Sequence, residues 1–232
     1  TQAYGNWRSP PVKAVPDDNV IVQMVSNFLL ASGADRETAL RQHKGWADVS
    51  RQILWRPNLP GRWWQGLPEV PLRQIIADFQ FAARNKCVGI FLASTWENWA
   101  TQGPAYYVMA QLAWNPEQDA EAMLDDYYRR GFGPAAGAIK AYWRLLEEAY
   151  QRRADEHVPE ADVYDAALFA KASGILNRAE AALAGQAHVL HNRVALLRAG
   201  LEYTRLLTEI RSLVERAKKS AEIGRASCRE RV

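Results

Sequence analysis

Three short apolar runs, separated by two segments with helical spacing, constrain the fold of this chain most strongly. The runs cover residues 19–25 (NVIVQMV), 53–55 (ILW) and 87–93 (CVGIFLA), and their composition is typical of buried strands. One helix is expected from a cap at Asp35 to about Ser50, and a second from Pro71 to Lys86. Alternation of strands and helices with short connections predicts an α/β fold with a parallel sheet. The pattern alone allows a barrel or an open sheet.

Beyond Gly103 and Pro104 the pattern is helical throughout. Breaks at residues 115–116 and 131–134 separate amphipathic segments, and a polar linker at about 152–162 precedes two further helices. We expect Asn115 to cap the helix that follows it, with Pro116 at the first helical position. The sequence therefore divides into an α/β part, residues 1–114, and an all-helical region, residues 115–221.

Both ends of the sequence suggest a piece of a longer protein. Residues 222–232 (EIGRASCRERV) back-translate into a widely used sequencing adapter, and we expect them to be an artefact. The chain has neither an initiator Met nor a signal segment, so we expect a missing N-terminal part of the same chain. The localisation of the parent protein stays open, with export to the periplasm or exterior of a bacterium as one expectation.

Charge and cysteine content argue against several classes of function. The chain has 29 Lys and Arg against 26 Asp and Glu, without the basic stripe of a nucleic-acid-binding protein. No apolar run reaches the roughly 20 residues that span a membrane. Motifs for phosphate, dinucleotide or metal binding are missing, and Cys87 stands alone outside the suspect tail. We therefore expect no nucleic acid, membrane, metal or cofactor as partner.

Tryptophan is the residue type that points to a ligand. Eight of the nine tryptophans precede residue 115, and Trp63 and Trp64 are adjacent in a loop rich in Pro and Gly. Core packing explains some of them, because tryptophan buries a large area. Flat rings on loops also suit the apolar faces of sugar rings, so we expect a carbohydrate substrate.

Candidate site residues follow the predicted strands, because the working residues of parallel α/β barrels lie where strands end. Glu97 follows the third strand between two tryptophans, and apolar neighbours raise a carboxyl pKa toward that of a general acid. The alternative is a Glu97 that only hydrogen-bonds a loop or a substrate hydroxyl. Glycoside hydrolysis needs two carboxyl groups, and we expect the second in the missing N-terminal part. Asp48 and Asp78 are expected to be solvated helix residues, and Glu69 is a weaker loop candidate.

The same strand ends provide the candidate substrate-binding residues. Arg56 would suit a carboxylated sugar, since guanidinium pairs bidentately with carboxylate, although a structural ion pair is an equal alternative. The full set is Asn27, Trp55, Arg56, Asn58, Trp63, Trp64, Gln65, Trp96, Asn98 and Trp99.

Several longer motifs resemble a bacterial family of domains of unknown function, family 4838. They are WRPN at 55–58, WQGLP at 64–68, WENWATQG at 96–103, YYVMAQLAWNP at 106–116 and GFGPAA at 131–136. The resemblance covers about residues 4–203. Members look like relatives of α-glucuronidases, which implies a (β/α)₈ TIM-type barrel followed by helices. Residues 1–114 would then be the C-terminal part of the barrel, its last three to four strands, with Ala3 and Tyr4 ending the first of these.

Three hypotheses for function follow from these observations. The first is a glycoside-hydrolase-like protein acting on poly- or oligosaccharide, including uronic-acid-containing chains; we expect the fragment alone to be inactive. The second is a non-catalytic carbohydrate-binding protein on the same scaffold, which keeps the aromatic residues but needs no second carboxylate. In the third, the helical region is an interaction module and the barrel a scaffold.

Overall fold

The computed structural model describes residues 1–26, 28, 33–57, 66–92, 98–154 and 158–229, without the side chains of 154 and 221–229. Its sheet has four parallel strands that neighbour one another in chain order. The strands are β1 (Gln2–Ala3), β2 (Ile21–Met24), β3 (Gln52–Trp55) and β4 (Cys87–Ile90). The predicted parallel α/β arrangement is therefore confirmed, including a strand that ends near Ala3.

Helices make up most of the rest of the described chain. None of the helices within the described ranges is both long and apolar enough to cross a membrane. Short 3₁₀ turns lie at Gly5–Trp7 and Gly133–Ala135. The helices are α1 (Gly33–Val49), α2 (Leu72–Arg84), α3 (Trp99–Trp114), α4 (Ala120–Phe132), α5 (Ala136–Ala154), α6 (Glu160–Val163), α7 (Ala166–Ala182) and α8 (His188–Arg229).

Helices α1 and α2 cover the same face of the sheet. The ring of Trp55 on β3 contacts His43 of α1, at 6.3 Å between centroids, and Phe79 of α2, at 5.5 Å. Side chains alternate across a strand, so Val22 and Ile53 point to this face with Trp55 and are fully buried. The other face carries residues that are exposed or half-buried, namely Gln2, Ile21, Gln23, Gln52 and Leu54.

The helical region and the sheet share one hydrophobic core. A single cluster of buried residues runs from Phe28 and Trp55 through Met109 of α3 to Trp143 of α5 and Leu201 of α8. Helix α8 passes close to α3 at Gly200, where an added Cβ would lie 2.6 Å from the carbonyl oxygen of Ala100. Glycine is therefore required at this crossing of α3 and α8.

Two predicted helix starts were wrong. Helix α3 begins at Trp99, because Gly103 and Pro104 are buried within it rather than forming a break before it. Asn115 ends α3 instead of capping α4, and its side-chain oxygen accepts a hydrogen bond from the amide of Glu117 at 3.0 Å. The cap of α4 is Asp119, whose carboxylate accepts from the amides of residues 121 and 122.

The start of α1 also differs slightly from the prediction. Asp35 lies in the first turn of α1, since the helix begins at Gly33. The break predicted at residues 131–134 is confirmed, because α4 ends at Phe132 and a 3₁₀ turn leads into α5. Gly and Pro residues in the sequence thus predicted the start of α1 and the break between α4 and α5 to within a few residues.

Candidate functional site

The carboxyl ends of the four strands meet at one edge of the sheet, as in any parallel sheet. Backbone bonds extend the pairing beyond the strands, from the amide of Arg56 to the carbonyl of Met24 at 2.9 Å and from Phe91 to Trp55 at 2.8 Å. The guanidinium carbon of Arg56 lies 5.6 Å from the centroid of the Phe91 ring. A cation–π contact therefore holds the half-buried Arg56 at this edge.

Trp55, although predicted to bind substrate, lies inside the core. Its side chain is 1% exposed, and its ring stacks on Phe28 at 4.4 Å between centroids. The indole Nε1 donates to the carbonyl of Ser26 at 3.3 Å. In the described structure Trp55 therefore presents no ring face to a ligand.

Trp99 and Asn98 lie at the start of α3, close behind β4 in the sequence. Trp99 is 53% exposed, and its ring meets that of Tyr106 edge-on at 5.1 Å between centroids. The backbone carbonyl of Asn98 accepts hydrogen bonds from the amides of Thr101 and Gln102, at 3.1 and 2.9 Å. The exposed indole of Trp99 therefore lies in a first helical turn that backbone hydrogen bonds hold in place.

Buried hydrogen bonds beneath Trp99 fix this helix start. The side-chain nitrogen of Gln102 donates to the carbonyl of Leu67 at 3.2 Å, and its oxygen accepts from the hydroxyl of Tyr106 at 2.7 Å. Gly66, with φ +72°, lies where an added Cβ would come within 3.1 Å of the Asn98 side chain. The positive φ favours glycine at this position. The short distance shows that the loop before α2 approaches α3 closely here.

A cavity of about 470 Å³ adjoins Trp99 between α3, α4 and α8. Aromatic side chains from α3 and α4 line one part of it, and charged side chains from α4 and α8 line another. These residues are Trp99, Tyr107, Tyr127, Asp126, Arg130 and Arg193. The cavity therefore combines aromatic surface with ionic groups, as small-molecule binding sites commonly do.

Hydrogen bonds hold the charged side chains of the cavity in place. Asp126 accepts hydrogen bonds from Arg129 at 2.6 Å and Arg130 at 2.9 Å, and these bonds lower the pKa of its carboxyl group. Burial raises the pKa of Tyr127 above its ordinary value, so the phenol is neutral at physiological pH. Arg193 donates from Nη1 to the carbonyl of Gly131 at 2.7 Å.

The other carboxylates considered in the sequence analysis, Asp48, Asp78 and Glu69, each form an ion pair within the protein. Asp48 is exposed and pairs with Lys44 at 2.8 Å, which confirms the expectation of a solvated residue. Asp78 was expected to be solvated too, and this was wrong: it is fully buried and pairs with Arg36 of α1. Glu69 is also buried, 2.6 Å from Arg153. Asp78 and Glu69 therefore tie elements of the fold together.

Seven candidate residues lie outside the described residues. They are Asn27, Asn58, Trp63, Trp64, Gln65, Trp96 and Glu97, the proposed general acid. Of the candidates within the described residues, Arg56 lies at the carboxyl end of β3, and Asn98 and Trp99 lie at the start of α3, the helix that follows β4. Over the described ranges, no three His, Cys, Asp or Glu side chains gather in a way that could hold a metal ion.

His43 is a buried titratable group that the sequence did not reveal. Its ring is fully buried, meets Phe28 edge-on at 5.4 Å, and places Nδ1 3.4 Å from the hydroxyl of Ser26. Burial lowers the pKa of His43 to about 4. A single histidine within a helical pattern gave no signal for this position.

Stability should respond to acid through His43. The folded-state pKa of about 4 lies below the ordinary histidine pKa of 6.5, so the unfolded chain binds the proton first as pH falls. Stability due to neutral His43 is therefore lost between about pH 6.5 and 4, by roughly 3 kcal/mol. Urea unfolding measures the free energy of unfolding of wild type and of His43→Gln between pH 7 and 4. Over this range the wild type should lose about 3 kcal/mol relative to His43→Gln. Parallel pH profiles of the two proteins would contradict the assignment.

The fold and the strand-end residues define an α/β protein with a parallel sheet, carrying polar and aromatic groups at the sheet's carboxyl edge. Residues 1–144 match the family model described as Domain of unknown function (DUF4838), and the chain belongs to this family. Searches of curated proteins and of solved structures found no match.

Proposed function

We propose that this protein binds carbohydrate beside Trp99, at the start of the helix that follows the last described strand, as part of a glycoside-hydrolase-like protein. The observation that carries the proposal is Trp99, an exposed indole at the start of the helix after β4, on the rim of a cavity of about 470 Å³. An indole face matches the apolar face of a pyranose ring. Arg56, at the carboxyl end of β3, and Asn98, next to Trp99 in the sequence, are the polar groups of the candidate set within the described residues.

The proposal includes a (β/α)₈ barrel, of which the four strands form one half. Strands in chain order with helices on one face fit a barrel wall, whereas a doubly wound sheet reverses its order and carries helices on both faces. The face without helices includes Ile21, which is 46% exposed. Because purely parallel sheets are covered on both faces, we infer that further barrel strands enclose this face.

Catalysis by Glu97 as general acid is the first form of this proposal, and acidic polysaccharides are among its substrates. Non-catalytic carbohydrate binding is the second form, and one observation favours it. Two of the described carboxylates are engaged by arginine: Glu69 by Arg153, and Asp126, which lines the cavity, by Arg129 and Arg130. Neither is placed to act as the second carboxyl group of a hydrolase.

Trp99→Ala should weaken binding of oligosaccharides about tenfold, because the ring supplies the stacking surface. Affinity electrophoresis against a panel of plant and microbial polysaccharides measures the change. The matched control is Trp114→Ala at the other end of α3, where the side chain is 91% exposed. Equal binding by the wild type, Trp99→Ala and Trp114→Ala would overturn the proposal.

A further inference from the structure

We propose that the cavity beside Trp99 binds an acidic sugar residue, with Arg193 as the group that pairs with its carboxylate. The proposal rests on the proposed function for the class of ligand, a sugar, and adds the place in the fold and the residue that recognise an acidic one. It assigns a binding role to helices α4 and α8, which lie beyond the sheet.

The charged side chains of the cavity leave one positive charge in excess. Asp126 and Arg130 form a pair in which Nε lies 2.8 Å from Oδ2, and so largely cancel. Among the described residues, Arg193 has no carboxylate within 4.0 Å. A ligand that fills this cavity is therefore favoured if it carries a single negative charge.

Backbone carbonyls hold the guanidinium of Arg193 in place. Nη1 donates to the carbonyl of Gly131 at 2.7 Å and to that of Arg130 at 3.4 Å. These carbonyls belong to the last turn of α4, where helix carbonyls lack partners within the helix and attract cations. Both bonds use Nη1, so Nε and Nη2 are the donors that can form the parallel pair of bonds to a carboxylate.

The aromatic wall indicates that the anion belongs to a ring. Trp99 is exposed at the rim, and the rings of Tyr107 and Tyr127 lie 5.1 Å apart between centroids deeper along the wall. Leu196, 48% exposed, adds apolar surface from α8, one turn from Arg193. A sugar ring against this wall would place a ring carboxylate within the part of the cavity lined by Arg193.

The test compares trigalacturonate with its methyl ester, which has the same rings without the charges. Calorimetric titration of the 232-residue chain should give at least tenfold tighter binding of the acid than of the ester. Arg193→Gln should remove this preference and leave binding of the ester unchanged. The control is Arg178→Gln on α7, another exposed arginine whose Nη1 donates to a backbone carbonyl, at 3.2 Å from Gly174. This control should retain the preference.

The outcomes separate this proposal from the proposed function. Equal affinity for acid and ester, or a preference that survives Arg193→Gln, overturns the role of Arg193 while sugar binding stands. A chain that binds neither ligand overturns both proposals. Loss of the preference in Arg193→Gln alone supports the acidic-sugar site, and added salt should then weaken binding of the acid more than binding of the ester.

Discussion

Trp55→Ala is expected to lower the free energy of unfolding by about 3–5 kcal/mol, the usual cost of removing a large buried aromatic side chain. The indole is 1% exposed and fills the space between the sheet and helices α1 and α2, against Phe28, His43 and Phe79. The substitution leaves a cavity and also removes the bond from Nε1 to the carbonyl of Ser26. Urea unfolding followed by circular dichroism measures the loss.

The matched comparison for this experiment is Trp99→Ala. Trp99 is 53% exposed, so its removal should change the free energy of unfolding by less than about 1 kcal/mol. Stability and sugar binding should therefore separate, with Trp55 affecting stability and Trp99 affecting binding. A stable Trp55→Ala protein that has lost sugar binding would show that Trp55 is a ligand-binding residue after all.

Asp78→Ala should be the second most damaging substitution, at about 3 kcal/mol, because it leaves Arg36 without its partner. Asp78 is fully buried on α2, and Arg36 of α1 donates to both of its oxygens. Burial raises the pKa of Asp78 to about 6 while the bonds from Arg36 act in the opposite direction. Unfolding should therefore be measured at pH 8, where the carboxylate is charged.

Two control variants sharpen this prediction. Asp48→Ala breaks an exposed pair with Lys44 and should cost less than about 0.5 kcal/mol. The double variant Arg36→Met/Asp78→Leu replaces the buried pair with apolar groups and should recover most of the stability. If Asp78→Ala and Asp48→Ala prove equally mild, the buried pair does not connect α1 to α2 as the structure indicates.

The strands could be predicted because short apolar runs bounded by helical segments leave few alternatives. The placement of Trp55 could not, since Ile53, Leu54 and Trp55 are three consecutive apolar residues, and this run does not show which face of the strand meets the helices. Ile53 and Trp55 share a face, but only the contacts with α1 and α2 identify that face as the core.

The wrong prediction for Asp78 comes from a contact between distant parts of the chain. Asp78 follows Ile75 by three residues on the buried side of α2, yet its partner Arg36 lies 42 residues away. The cavity beside Trp99 unites residues of three helices, from Trp99 to Arg193. No local pattern in the sequence indicates such a cavity, whereas the position of Trp99 shortly after the third apolar run is visible in the sequence.

The most direct test of the central claim, carbohydrate binding at Trp99, is a two-dimensional NMR spectrum of the indole N–H groups during titration with an oligosaccharide. The chain has nine tryptophans, and Trp99→Phe, Trp55→Phe and Trp114→Phe assign three of their signals. We predict that the Trp99 signal moves in a saturable manner, while those of the buried Trp55 and the distant Trp114 stay in place. A saturable shift of Trp114 without one of Trp99, or no shift with any oligosaccharide, would contradict it.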